Sequence, residues 1–398
     1  MIRLAVLIFA AVASMLPATP APSDTALRAA LQKDLDQYLS ARAKPEHISA
    51  ISLSISLHGQ TQNINLTAGT TKYAGAGDPA TPAQLWQIGS NTKAFTAAII
   101  LQLEAEGKLN IDQKLGRFLP QYPAWKNVTI RHLLDMTSGI PGYDLVDQML
   151  EDYAAHPKRN LTAAQLIAYV YPGNPHAPPP TKGYAHSNTG YILAELVIEK
   201  VTHNSYTSEL NRRFLRSGLG LNSTYYSGTM YPSDILNRMV SGYFFSHDAD
   251  NAGLKPLLGL DVHTDSVSWM KSAGAIVSTP EDLTRWARAL YTGPMLAPKQ
   301  RAELFSIVSL KNGKPIKTTT LDDPRAFGLG VAQMTTAQTG KVWFYEGMTL
   351  GYRMLHLYVP KQDAVIAFGL NSQPDSKQNQ SGKLMMSIFD TLHKAGKL

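Results

Sequence analysis

The chain predicts an α/β fold of the α+β kind: one antiparallel sheet assembled from both chain ends, flanked by helices, with a mostly helical unit inserted between. Three observations carry this. Residues 48–58 and 61–69 alternate in polarity and read as a hairpin of strands. Four further strand-like runs, 327–336, 341–347, 351–359 and 364–371, lie near the other end. Between the two groups the chain reads as helices and loops from residue 91 to about 265.

The elements follow in order. Residues 1–21 form a unit of their own. Arg3 supplies a positive start, Leu4 to Leu16 an apolar stretch without an acid, and Ala18, Thr19 and Ala21 small residues after it. This is the pattern of a secretory signal peptide, too short to span a bilayer, and it predicts a periplasmic or secreted protein. Residues 22–398 then form the working unit, with an α/β part at 22–90 and 266–398 and a helical part at 91–265. Leu27, Leu31, Leu35 and Leu39, four apart, predict a helix over 25–43. A helix over 91–107 ends at Gly107. The run Pro172 to Pro180 reads as a surface loop, and Asn188 to Val201 as a helix. Thr279 or Ser278 caps a helix that starts near Pro280. A closing helix covers 379–396.

Composition narrows the function. The 398 residues, 44% hydrophobic and 17% charged, suit a large soluble globular unit. With no cysteine there is no thiolate nucleophile, no Cys-based zinc site, no disulfide and no lipidation cysteine. The formal charge is +7, or +6 once Arg3 leaves with the leader, and the basic residues are scattered. No basic and aromatic interleaving marks a nucleic-acid surface, and no later segment is apolar enough to cross a membrane. The expected partner is a small-molecule or peptide substrate.

The chemistry concentrates at Ser90-Asn91-Thr92-Lys93, an S-x-x-K tetrad just before an apolar helix. A serine there meets the backbone N–H groups of a helix start, which favour developing negative charge. The lysine lies one turn deeper on the same face. If burial lowers its pKa, it can take the serine's proton. Such a pair needs no metal or cofactor.

From Trp86 to Tyr143 the chain resembles the nucleophile region of the serine β-lactamase and penicillin-binding-protein superfamily, in its class C-like branch. The phrases are GSNTKAFTA, EGKLNIDQKL and TIRHLLDMTSGIPGY, with Met136 where the family usually has histidine. The resemblance covers roughly residues 30–395. It implies a β-lactamase/DD-peptidase-like fold with the active site in a cleft, and an acyl-enzyme formed on Ser90 with Lys93 as base. It further implies two more motifs. The first is usually Tyr-x-Asn; here Gly183-Tyr184-Ala185-His186-Ser187-Asn188 places His186 at the tyrosine, with Asn188 expected to touch Lys93 and hold the substrate amide. The second usually begins with lysine or histidine; here it is Tyr345-Glu346-Gly347. His186 and Tyr345 therefore read as an exchanged pair, one imidazole and one phenol in one cleft. His186 is expected to relay a proton to the leaving group, giving a pH limb near neutrality. The backbone N–H groups of Ser90 and Met348 are expected to form the oxyanion hole. The branch includes peptidases, D-amino-acid peptidases, esterases and β-lactamases; the alternative is a catalytically impaired penicillin-binding or sensing module of the same fold.

Other residues weigh less. Gln338-Thr339-Gly340 reads as a hairpin turn rather than a motif. Glu346 reads equally as a general acid or a specificity acid for an amine-bearing substrate and as an exposed strand-end carboxylate. Arg353 reads first as a structural ion pair and second as a carboxylate binder. The stretches 247–250 and 261–265 read as polar loops rather than metal sites. His132 reads as an ordinary helix histidine.

Overall fold

The computed structural model describes residues 24–398; the signal-peptide expectation falls outside them. Nine strands form the main sheet: β1 Ala50–Ser56, β2 Ile64–Gly69, β3 Ile307–Ser309, β4 Pro315–Ile316, β5 Arg325–Phe327, β6 Ala332–Thr336, β7 Gly340–Met348, β8 Arg353–Val359 and β9 Ala364–Leu370. Their order is β2-β1-β9-β8-β7-β6-β5-β3-β4, so the N-terminal hairpin pairs with the last strand through Ile51↔Leu370 to Ser56↔Val365. Every residue of β8 and β9 is buried, because helices cover both faces of the sheet.

Helix α1, Asp24–Glu46, buries Leu27, Leu31 and Leu35 against one face, beside the closing helix Ser381–Lys394. On the other face lie α2, Thr92–Ala105, and a helix over Pro280–Thr292. The latter begins with Thr279, whose hydroxyl accepts from the Asp282 N–H, and with proline in its first turn, where no intrahelical N–H is needed. It buries Leu283, Trp286, Ala287 and Leu290, the three-and-four spacing of an amphipathic face. The helix over Asn188–Thr202 packs behind α2.

The single strand expected over 327–336 is two strands. Gly328 to Val331 turns tightly, with Gly328 N–H donating to Val331 O at 2.7 Å, and β5 pairs with β6 through Phe327↔Ala332. Gly330 has φ +79°, and a Cβ there would sit 2.8 Å from the carbonyl oxygen of Lys93. The Gly-Leu-Gly sequence thus lets a turn pack directly onto the backbone of the nucleophile helix. Residues 338–340 do form the β6–β7 hairpin turn. The region expected to hold helices and loops also contributes two-residue strands. Tyr225–Tyr226 and Trp86–Gln87 flank Ile276–Ser278, and Tyr243–Phe244 runs parallel to Ser372–Gln373.

Candidate active site

Ser90 sits in a 3₁₀ turn, Gly89–Asn91, that leads into α2. The turn is pressed against the end of β7. A Cβ on Gly89, which has φ +52°, would meet the backbone O and N of Met348 at 2.7 and 2.8 Å. A Cβ on Gly347 would meet Ile88 O at 2.0 Å and Ser90 N at 2.9 Å. Both glycines are required by this approach, which sets the Ser90 and Met348 backbones side by side. Thr349 N–H donates to Tyr352 O, so the antiparallel alternation turns the Met348 N–H away from β8. The short β6 ends its pairing at Phe344, leaving the far end of β7 open on that side. The Met348 N–H therefore points to the open side of β7, next to the Ser90 backbone.

Lys93 is fully buried, and its Nζ meets three neutral acceptors: Ser90 Oγ at 2.8 Å, Asn188 Oδ1 at 2.6 Å and Ala273 O at 2.9 Å. The Tyr191 ring lies 5.4 Å away. Burial lowers the lysine from 10.5 to about 7, opposed only by the more distant Asp144 carboxylate. Near neutrality a large share of Lys93 is a free amine whose lone pair can take the serine's proton. The contact expected between Asn188 and Lys93 is present, and Ser187 caps the helix that Asn188 begins.

Asp144 is the residue the sequence reading missed. It lines the cleft, its Oδ1 has no hydrogen-bond partner among the described residues, and burial raises its pKa, countered in part by Lys93 and the Asn188 amide. The one sequence signal was an acid directly after Pro-Gly-Tyr in a phrase otherwise read for its family likeness.

Ser90, His186, Asn188, Tyr345 and Met348 all line one cavity of about 440 Å³. His186 keeps its edge open to that cavity and makes no hydrogen bond among the described residues. The protein packed around it, and then the Lys93 cation, push its pKa well below the ordinary value, although its open edge softens the first effect. Lys93, lowered to about 7, is thus a second group beside the imidazole that can titrate near neutrality. Tyr345 is buried beside Ser90; burial and then Tyr184 hold its phenol well above the usual range, with the Ser90 hydroxyl acting the other way. It is a neutral hydrogen-bond donor and no base. Tyr184 also lines the cleft, but its hydroxyl is turned to Met136 Sδ at 3.6 Å and its ring tilts against Phe327.

The remaining residues separate cleanly. Arg353 is fully buried behind the cleft, bonded to Glu46 at 2.5 Å, Ser372 O at 2.9 Å and Asn379 at 2.8 Å; it is a structural ion pair. Glu346 is half-buried, lines the cleft, and accepts from Asn379 and Ser381. His132 is exposed on a short helix. His263 pairs with Asp261, His247 with Asp375, and no group of three or more metal-ligand residues occurs among the described residues.

The family model described as Beta-lactamase matches residues 35–385. The chain belongs to the β-lactamase family. Within it, the chain is 26% identical over 298 residues to penicillin-binding protein 4* of Bacillus subtilis, which covers 75% of this chain and 63% of that protein. It is 27% identical over 301 residues to protein flp of Staphylococcus aureus, covering 74% and 54%. The match thus spans less than two thirds of these relatives. Among solved structures it is similar to a D-stereospecific amidohydrolase from Streptomyces, with TM-score 0.73, 24% identity, and 91% and 98% of the two chains covered. It is also similar to the D-amino acid amidase of Ochrobactrum anthropi complexed with D-phenylalanine, with TM-score 0.75, 21% identity, and 93% and 99% covered. At these identities the structures establish the shared β-lactamase fold, a large antiparallel sheet with helices.

Proposed function

We propose that the protein is an exported serine hydrolase that cleaves an ester or amide through an acyl-enzyme on Ser90. Neutral Lys93 takes the hydroxyl proton as Ser90 Oγ attacks the carbonyl carbon. The Ser90 and Met348 N–H groups hold the oxyanion. As the tetrahedral intermediate collapses, the leaving group departs with a proton passed from Lys93 by way of His186. Water then attacks the acyl ester, and its proton returns through Lys93 to Ser90. The observation that carries this is the buried Lys93 amine, 2.8 Å from Ser90 Oγ, with only neutral hydrogen-bond partners.

The cleft also favours a substrate class. It contains two acids, Asp144 and Glu346, while Arg353 is sealed behind it. A carboxylate-bearing substrate gains little there, which argues against efficient β-lactam hydrolysis. An amine-bearing acyl group with an apolar side chain suits the acids and the wall of Met149, Leu150, Leu254 and Trp269. The structurally similar D-amino acid amidase of Ochrobactrum anthropi, seen in complex with L-phenylalanine amide and with D-phenylalanine, points to amino acid amides as members of this class. Export is supported by the apolar, acid-free run of the first 21 residues.

A panel of D-phenylalaninamide, p-nitrophenyl esters, D-alanyl peptides and a chromogenic cephalosporin, with intact-mass measurement, tests the reading. The expected outcome is turnover of amides or esters and a mass gain that maps to Ser90. A wild-type protein that neither turns over any of these compounds nor gains mass is instead a binding module.

A further inference from the structure

Beneath the nucleophile turn lies a hydrogen-bond chain that the mechanism above does not use. Asn91, 2% exposed, donates from Nδ2 to Ile88 O at 2.8 Å and to Met354 O at 2.9 Å. Its Oδ1 faces Nδ1 of His356 at 2.7 Å. The other ring nitrogen of His356 faces the Tyr291 hydroxyl at 2.9 Å. All three side chains are buried.

Only one proton arrangement satisfies every group. Two carbonyl oxygens require the amide nitrogen of Asn91, so its oxygen must face the histidine and needs a donor. His356 Nδ1 therefore carries the proton, and Nε2 accepts from the Tyr291 hydroxyl. A flipped Asn91 would set its oxygen against two carbonyls; the other tautomer would set a bare ring nitrogen against Oδ1. Burial, which pushes His356 far below its ordinary pKa, keeps it in this neutral form.

The chain sits where the oxyanion hole is assembled. Met354 is paired with Gly347 and His356 with Tyr345 in the β7–β8 ladder. A Cβ on Gly347 would lie 2.7 Å from Asn91 Nδ2. The Asn91 amide thus stitches the Ser90 turn to β8 across the gap that Gly347 leaves open. The two candidate oxyanion donors, Ser90 N–H and Met348 N–H, flank this stitch. We propose that His356 and Tyr291 are positioning residues: they lock the Asn91 amide in the one orientation that fixes the spacing of the oxyanion hole. This rests on the reading of Ser90 as the nucleophile.

The test compares His356→Leu with His356→Gln, whose side-chain N–H can still donate to Asn91 Oδ1. His356→Leu is expected to lower kcat for a p-nitrophenyl ester about 10²-fold, the scale of a misplaced reacting group, with little change in KM. It should weaken phenylboronic acid, which places an oxygen in the oxyanion hole, by a similar factor. His356→Gln should recover most of both losses, and adding Asn91→Ala to His356→Leu should cost little more, since one lock is already broken. Unchanged kcat in folded His356→Leu, equal loss in Leu and Gln variants, or additive losses would overturn the proposal. If His356→Leu does not fold, Tyr291→Phe serves, with a smaller kcat loss expected and an unchanged kcat decisive against it. Hydrogen exchange over residues 86–95 reads the lock without turnover: faster in His356→Leu or Tyr291→Phe, unchanged in His356→Gln. Wild-type protein that neither gains mass at Ser90 nor binds phenylboronic acid would sink the nucleophile reading. The exchange experiment would still decide whether the lock exists.

Discussion

Lys93 and Arg353 are both fully buried cationic residues, and the protein treats them in opposite ways. Arg353 has a carboxylate, Glu46, at 2.5 Å and further acceptors around its guanidinium. It ties α1 and the closing segment to β8. Lys93 has only neutral hydrogen-bond partners, so burial is opposed by no close anion and its pKa falls to about 7. A buried cation with a tight counter-ion is a structural tie. One without is a base in waiting.

The sharpest way to break this comparison is at the reacting pair. Ser90→Ala should reduce turnover at least ~10³-fold, leaving binding and the oxyanion hole alone. Lys93→Arg should be comparably inactive, because guanidinium stays charged throughout the working range. Steady-state kinetics check both, and near-normal rates in either would remove the proposed mechanism. On the structural side, Arg353→Met should cost roughly 3 kcal/mol or more of stability, since it leaves Glu46 buried without its main partner. Denaturant unfolding should show that loss, with part of it recovered in Glu46→Gln/Arg353→Met. A stability loss equally large in Lys93→Met would erase the distinction between the two sites.

A smaller effect is expected at His186. His186→Ala should lower kcat about 10²-fold if the imidazole passes the proton. His186→Tyr with Tyr345→His should outperform either single change if the two positions are an exchanged pair. A double mutant equal to the product of the single losses would show two uncoupled sites. The mildest test is pH. Activity should rise through about pH 7 as Lys93 loses its proton, and His186→Ala should keep that limb. Stability carries the same signature. Between about 7 and the ordinary 10.5 the unfolded lysine holds a proton the folded one lacks, so this group makes the protein more stable as pH rises through that window. A limb that disappears in His186→Ala would return the titration to the imidazole.

The sequence alone determined the frame. Period-two alternation located the N-terminal hairpin, leucines four apart located α1, and Thr279-Pro280 located a helix start, because each signal is carried by residues close in the chain. Ser90 and Lys93 were legible for the same reason: one helical turn brings them together. The tertiary structure decided what depends on distant neighbours. Gly328 to Gly330 split an expected strand because that turn must lie against the Lys93 backbone. Asp144 entered the site because residues 143–145 fold against the helix that Asn188 begins. The imidazole expected to titrate near neutrality opens onto the cavity, where the protein beside it and then the Lys93 cation lower its pKa, while burial brings Lys93 to about 7. Charge state is a property of surroundings: S-x-x-K names the base, but only packing from residues far along the chain removes the water that would keep it protonated.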